Sequence, residues 1–390
     1  MILKDNYEQC LTYIENYWKE ITFSLPKNKN IHIRLPNPFV SPNSNVFKND
    51  QFYWDSYFII LGLIESGKVS LAKGMVDNLV YLYKRFGIIP SRNRFYNLGI
   101  SQPPFLASMI MEVFNISKDI TWLSGVAKIA EDELKNYWMN GNKEGKHLVY
   151  KGLSRYCDHF ITHLTAEHES GWDMTSRFNE HCLDYLPVDL NSCLYKYEMD
   201  VAEMYKILGY GLKEKYYLSQ AGKRRETMTE LMWNNKKGFF FDYNYKFKKQ
   251  ADFYSIAGFY PLWAKLVLDS QAKKIQGNLE KFEYKGGLAN TQRTGLSGEF
   301  KQHDYPNGWA HQQWIVIKGL LNYGFTEDAK RLAEKWLELN KKVFLKTGKF
   351  WEKYNVVSSN VGKAERYPAQ TGFGWTNAIF VKLVKEFCTK

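Results

Sequence analysis

Apolar residues recur at helical spacing along most of the chain. Leu71, Met75, Leu79, Leu82 and Phe86 step by four, four, three and four, which lays one stripe along a helix. Phe325, Ala329, Leu332, Trp336 and Leu339 repeat the pattern. Reading each periodic stretch to its nearest breaker predicts helices over 5–24, 53–66, 69–86, 103–115, 119–140, 190–208, 212–233, 252–266, 268–283, 306–322, 325–346 and 372–388. Gly67, Gly87, Pro90, Pro187, Gly238, Pro306, Gly348 and Pro368 punctuate the joints. Twelve helices, mostly in consecutive pairs, are what an all-α (α/α)6 toroid needs: six inner and six outer in alternation. The run Gly238-Phe-Phe-Phe-Asp-Tyr243 reads as a hairpin on a loop. No Gly-, Ser- or Pro-rich linker divides the chain, so a single catalytic domain over 1–390 is expected, with 1–36 as an N-terminal helix and lead-in.

Composition narrows the classes. Lys and Arg exceed Asp and Glu to give a net charge of +12, but they are spread along the chain and mixed with acids on helix faces, as in Glu327, Lys330, Arg331, Glu334 and Lys335. That is a solvated surface rather than a nucleic-acid footprint. The five cysteines, Cys10, Cys157, Cys182, Cys193 and Cys388, form no CxxC pair, which argues against a disulfide framework and a zinc site. No run of about 18 apolar residues marks a membrane span, and no apolar signal core stands in Met1–Lys19. The expectation is a cytoplasmic protein, monomeric or weakly oligomeric, that binds neither nucleic acid nor membrane. Aromatics reach 16% of the residues. Most of them belong to a bulky core, but those inside polar motifs are candidates to stack on a ligand.

The polar, aromatic-rich segments fall at the joints between helices, where a rigid scaffold usually carries function. Gln51-Phe-Tyr-Trp-Asp-Ser-Tyr57 places Asp55 among aromatics at a helix start, where capping is the plainer reading. Glu169-Ser-Gly-Trp-Asp-Met-Thr-Ser-Arg177 sets Asp173 beside Trp172; an adjacent indole disfavours the ionised carboxyl and suits it to donate a proton. The plainer reading there is an Asp173–Arg177 surface pair. Gln302-His-Asp-Tyr-Pro-Asn-Gly-Trp-Ala310 contains a Pro-Asn-Gly turn that presents Asp304 and Trp309. Phe350-Trp-Glu-Lys-Tyr354 sets Glu352 against Trp351 and Tyr354, and Gly372-Phe-Gly-Trp-Thr-Asn377 follows. One theme repeats: a carboxylate in an aromatic wall at a helix joint. Glycoside cleavage uses that combination, one carboxylic acid protonating the leaving oxygen while a second carboxylate activates water or attacks. Walker A, GxGxxG, HExxH and GxSxG motifs are missing. His159 and His163, with His168 nearby, read as surface or supporting residues rather than metal ligands, so neither a metal nor another cofactor is expected.

These segments, in order over about residues 36 to 380, resemble those of the trehalases, inverting hydrolases of (α/α)6 fold that split α,α-trehalose into two glucoses. The resemblance rests on Tyr53-Trp-Asp-Ser-Tyr-Phe58, Ser101-Gln-Pro-Pro104, Ser170-Gly-Trp-Asp173, Val188-Asp-Leu-Asn191, Leu194-Tyr-Lys-Tyr-Glu198, Asp304-Tyr-Pro-Asn-Gly-Trp-Ala310, Glu352-Lys-Tyr354 and Gly372-Phe-Gly-Trp-Thr-Asn377. It implies Asp173 as general acid and Glu352 as the base that activates water. Around them Trp54, Asp55, Arg94, Gln102, Trp172, Arg177, Asp304, Trp309, Tyr354, Arg366 and Trp375 are expected to bind the sugar. The chain departs from the family in five stretches, one of them Pro90-Ser-Arg-Asn-Arg94 in place of Pro-Asn-Gly-Asn-Arg. Asn43-Ser-Asn-Val-Phe47 stands for Gly-Gly-Arg-Phe, Ile100 for the arginine before Ser-Gln-Pro-Pro, and Arg366 for a glutamate before Tyr367-Pro368. A Pro-Arg-Pro-Glu-Ser segment expected after Leu153-Ser-Arg-Tyr156 is missing. Hydroxyl-reading groups carry much of specificity, so the thinned set leaves alternatives beside trehalose hydrolysis: another α-glucoside or a glycosyl acid as substrate, or a non-catalytic sugar-binding protein on the same fold.

Overall fold

In the computed structural model, which describes residues 7–142, 145–293, 301–362 and 368–388, the two kinds of apolar pattern become two rings of helix. The helices are α1 (Glu8–Ile21), α2 (Tyr53–Glu65), α3 (Val69–Phe86), α4 (Leu106–Ser117), α5 (Ile120–Asp132), α6 (His163–Ser170), α7 (Val188–Ile207), α8 (Gly211–Met232), α9 (Tyr260–Trp263), α10 (Asp269–Gln276), α11 (Ala310–Asn322), α12 (Thr326–Thr347) and α13 (Gly374–Cys388). A helix apolar on all sides must be surrounded, whereas a one-striped helix needs only one neighbour and faces water elsewhere. Every residue of α2 from Tyr53 to Leu63 is buried, as is every residue of α13 from Gly374 to Val381. By contrast α12 buries Ala329, Leu332, Ala333, Trp336, Leu337, Leu339, Asn340 and Val343, a single stripe.

The continuously buried helices form the inner ring. Each of α2, α4, α7, α9, α11 and α13 packs against the next, and α13 closes back onto α2. That closing contact is tight because Gly62 has no side chain: a Cβ there would lie 2.4 Å from the Cα of Ala378. The outer ring packs behind it, with α3 on α2 and α4, α5 on α4 and α7, α8 on α7, and α12 on α11 and α13. Helix α1 covers α13, where Tyr7 meets Phe380 edge-on.

The predicted helices over 53–66, 69–86, 212–233, 325–346 and 372–388 match their observed counterparts to within two residues at each end. The stretch 252–266, read as one helix, is instead a 3-10 turn (Ile256–Phe259) running into the short α9, because its first residues are extended and Ser255 pairs with Thr291. The stretch 268–283 breaks after Gln276, and 306–322 opens with a strand, Asn307–Trp309, before α11. Helix α6 carries no apolar stripe, burying Ala166, Glu167, Glu169 and Ser170, and it escapes a periodicity reading for that reason. The hairpin expected at 238–243 is present: Phe239–Phe240 pairs with Trp233–Asn234. A three-stranded ribbon, Asn307–Trp309, Lys353–Asn355 and Asn360–Val361, sits above the ring and sets Trp309 opposite Lys353.

Candidate active site

The loop carrying Asp173 is held from three sides. Helix α6 ends at Gly171 in the left-handed region (φ 72°), and a Cβ there would meet the Trp54 ring at 2.5 Å, so the turn needs glycine. Beyond Asp173, the Thr175 hydroxyl donates to Asp304 Oδ1 at 2.8 Å and the Ser176 N–H donates to Asp304 Oδ2 at 3.0 Å. Glu167 accepts from the Thr175 N–H at 3.0 Å. Arg177 then drops into the core and grips Asp189 and Asp242, both pairs bidentate. Its guanidinium lies 4.8 Å above the Trp172 ring, which is itself fully buried. Two opposed carboxylates hold Arg177 far above even the usual guanidinium range, although burial works against its charge.

Glu352 arrives from the other side. It occupies a bend just before the Lys353–Asn355 strand, and its N–H donates to the Gln370 carbonyl at 2.9 Å. Lys353, wholly buried, donates from Nζ to Glu352 Oε2 at 2.6 Å and lies 4.9 Å from the Trp309 ring centre. A buried ion pair of this kind holds its geometry only because each charge has a partner. Since the bend interrupts strand alternation, Tyr354 does not share the cavity face of Glu352. Its hydroxyl accepts the Trp351 N–H at 3.0 Å, and its ring packs edge-on against Trp336.

Asp173 and Glu352 line one cavity of about 690 Å³. Its lining comes from segments that each lead into an inner helix: 42–55 into α2, 91–102 into α4, 168–173 into α7, 302–309 into α11, and Glu352 with 368–375 into α13. The walls are aromatic. Trp375 meets Trp54 and Trp309 edge-on, each at 5.7 Å between ring centres, and His303 stacks flat on Trp309 at 4.2 Å. Burial and the nearby Lys353 ammonium keep His303 well below its usual pKa, so its imidazole is neutral. Asp55 projects into the same space from the first turn of α2. Burial first, and then the charges of Glu352 and Asp173, push its carboxyl well above the usual range. Three carboxyls sharing one cavity do not all ionise, and burial beside two other carboxyls favours the protonated form of Asp55, which is an O–H donor.

Of the residues expected around a sugar, Trp54, Asp55, Arg94, Gln102, Trp309 and Trp375 line the cavity with Asp173 and Glu352. Arg94 is fixed by Asp50, through Nε at 2.6 Å and Nη2 at 2.5 Å. Gln102 is oriented with its nitrogen toward the Ser91 carbonyl at 3.1 Å and its oxygen toward the Trp54 indole N–H at 3.3 Å. Trp172, Arg177, Asp304 and Tyr354 do not line it; all four stand behind the wall and fix the loops that do. Arg177 in particular is a core anchor rather than the surface partner of Asp173. Arg366 lies outside the described residues. Missed by the sequence reading were Arg92, Gln302, His303, Gln370 and Phe373, which line the cavity from within or beside the motifs already singled out. A rule that every polar or aromatic residue of such a motif is a candidate would have found most of them.

Among the described residues, one cluster has metal-ligand types at close range: His163, His181 and Asp184, with ligand atoms within 4.8 Å of one another. It lies apart from the cavity lining, and the His163 Nδ1 accepts the Leu183 N–H at 3.2 Å. His159 is not part of it, and no helix among those described is long and apolar enough to cross a membrane.

The family model described as Trehalase matches residues 3–162 and 158–388. A periplasmic trehalase of Xanthomonas oryzae pv. oryzae is 31% identical over 402 residues, covering 91% of this chain and 69% of that protein. A cytosolic neutral trehalase of Saccharomyces cerevisiae is 32% identical, covering 88% of this chain but 56% of its own length. The chain thus spans little more than half of that relative. Among solved structures, the neutral trehalase of Saccharomyces cerevisiae superposes with a TM-score of 0.79 at 30% identity, over 89% of this chain and 73% of the other. A mannosylglycerate hydrolase of Thermus thermophilus superposes with a TM-score of 0.75 at 16% identity, over 96% of this chain and 99% of the other, which is a likeness of fold.

Proposed function

This chain belongs to the trehalase family, and from that premise we propose that it is an inverting glycoside hydrolase that splits α,α-trehalose into two glucoses. Asp173 acts as the acid and Glu352 as the base. The observation that carries the roles is the delivery of both carboxyls, from loops far apart in sequence, into one aromatic-walled cavity. The Asp173 carboxylic acid gives its proton to the glycosidic oxygen as the C–O bond breaks. The Glu352 carboxylate takes a proton from a water that attacks the anomeric carbon from the opposite face. Lys353 places an ammonium donor against the Glu352 carboxyl at 2.6 Å. The trio of Trp54, Trp309 and Trp375 offers faces for the sugar rings, and protonated Asp55 donates to a hydroxyl.

Inversion is directly readable. Early in the reaction one glucose appears as the β anomer and the other as the α anomer, whereas a retaining enzyme releases α only. Proton NMR of fresh product from trehalose, with Asp173→Asn and Glu352→Gln as controls, makes the test. Turnover by wild type that both variants abolish supports the reading; wild type that cleaves no α-glucoside or glycosyl acid sinks it.

The proposal extends to a monomer or weak oligomer in the cytoplasm. Five free cysteines support that location, as do relatives named cytosolic, while other relatives are named periplasmic. Cell fractionation and sedimentation decide the two points.

A further inference from the structure

Gln302 joins the two halves of the site. Its side-chain Nε2 donates to the backbone carbonyl of Asp173, while its Oε1 accepts from Lys353 Nζ at 3.3 Å. Lys353 Nζ in turn donates to Glu352 Oε2 at 2.6 Å. The chemistry allows one orientation of this amide: its nitrogen must face the carbonyl and its oxygen the ammonium. The Gln302 backbone is pinned as well, its carbonyl accepting from the Trp309 indole N–H at 3.0 Å and from Asn307 Nδ2 at 3.1 Å. A continuous path of hydrogen bonds therefore runs from the residue bearing one carboxyl to the carboxylate of the other. It passes only through side chains that are buried or nearly so.

We propose that Gln302 and Lys353 are positioning residues that form a strut, fixing the span between Asp173 and Glu352 and holding Glu352 as the ionised partner. The inference rests on the roles assigned to that pair above. Inversion demands a gap wide enough for a water, with carboxyls about 6.5–9.5 Å apart. A placement error of about 1 Å there costs on the order of a hundredfold in rate. The Asp173 loop and the Glu352 bend are both tied to the 302–309 segment, the first through Asp304 to Thr175 and Ser176 and the second through the pairing of Trp309 with Lys353. Within that frame the amide of Gln302 links Asp173 to the Lys353–Glu352 pair through side-chain hydrogen bonds. The two members act differently. Gln302 is neutral and works on geometry. Lys353 works on geometry and charge. Among the described residues, the titratable groups that share the cavity with Glu352 are Asp55 from α2, Asp173 from the loop after α6, His168 near the end of α6, the neutral His303, and Arg92 and Arg94, which both pair with Asp50. Lys353 is a cation that donates to Glu352 directly.

The experiment compares Gln302→Leu, Lys353→Met and Lys353→Arg with wild type on trehalose, reading kcat, KM and the pH profile of kcat/KM, with circular dichroism as the folding control. The expected results separate. Gln302→Leu lowers kcat by about a hundredfold, with KM within about threefold and the acidic limb of the profile nearly in place. Lys353→Met moves that limb up by about one pH unit or more, since a buried carboxylate loses its cation. Lys353→Arg keeps the limb close to wild type while kcat stays low. A folded Gln302→Leu variant with wild-type kcat overturns the strut. So does one whose KM alone rises, which would make Gln302 a sugar ligand. An unmoved limb in folded Lys353→Met overturns the charge role. If Lys353→Met does not fold, an acidic limb displaced by about one pH unit or more in folded Lys353→Arg overturns it instead. Wild type that turns over no glycoside at all counts against the assigned reaction. In that case carbon NMR of labelled glutamate carboxyls reads Glu352 directly, and equal titration in wild type and Lys353→Met overturns the charge role independently.

Discussion

The guanidinium of Arg177 meets the carboxylate of Asp189 through two parallel hydrogen bonds, 2.9 Å from Nη1 and 2.7 Å from Nη2. The same group reaches Asp242 with contacts of 2.7 Å from both Nε and Nη2. Arg177 lies four residues after Asp173, so this double clasp ties the acid-bearing loop to the first turn of α7 and to the segment leading into the 243–250 hairpin.

Removing the cation leaves two buried carboxylates facing each other. Arg177→Ala is expected to destabilise the fold by about 3–5 kcal/mol, the cost of breaking a buried pair from one side. Arg177→Lys keeps the charge but loses the fork and recovers only part of it. Urea unfolding midpoints measure both.

Gly171 predicts a different kind of loss. Alanine there must hold a left-handed backbone, at about 1–2 kcal/mol, and its Cβ collides with the Trp54 ring. Two positions before Asp173, that displacement moves the acid. Gly171→Ala should therefore lower kcat more than it lowers the melting temperature, a contrast that kinetics and calorimetry on one preparation reveal.

Asp55 tests the shared-proton argument. If it works as a neutral donor, Asp55→Asn keeps an N–H in its place and costs under about tenfold in kcat/KM. Asp55→Ala strips the hydrogen bond and costs about 1–3 kcal/mol of transition-state binding. An Asn variant as damaged as the Ala variant would mean that Asp55 works as an anion.

The buried carboxyl of Glu133 makes stability depend on pH. Burial raises it to about 7, against a usual 4.5, although Tyr197 and Tyr53 donate to it. Between those two values the folded state holds more proton than the unfolded state. Stability is thus fully present below the lower value and falls as pH rises through the upper one. The loss from this group amounts to about 3 kcal/mol by pH 8. Glu167, also raised to about 7, adds in the same direction. Urea midpoints at pH 5 and pH 8 should diverge in wild type and draw together in Glu133→Gln.

Much of the ring was legible because helical periodicity is a local property. The stripes of α3 and α12 and the apolar run Tyr57–Ile64 of α2 are set by the chain's need to bury them, whatever lies next to them in space. What escaped depended on partners distant in sequence. Helix α6 buries two glutamates that are acceptable inside only because Thr175, Cys157 and His147 meet them. The motifs located the cavity, but the roles of their members were not local. Trp172, Arg177 and Asp304 share a motif or a clasp with Asp173, yet stand behind the wall because their partners, Asp189, Asp242 and Ser176, draw them inward. His303 and Gln302 face the cavity from the same turn that buries Asp304.

The closure of α13 onto α2 orders events in time. Trp375 on α13 and Trp54 on α2 form adjoining panels of one wall, though more than three hundred residues of chain separate them. As the ribosome extrudes the chain, Trp54 emerges about three hundred residues before the base loop and Trp375. A nascent chain that stops short of Trp375 holds no finished cavity, and the wall is whole only when the ring shuts.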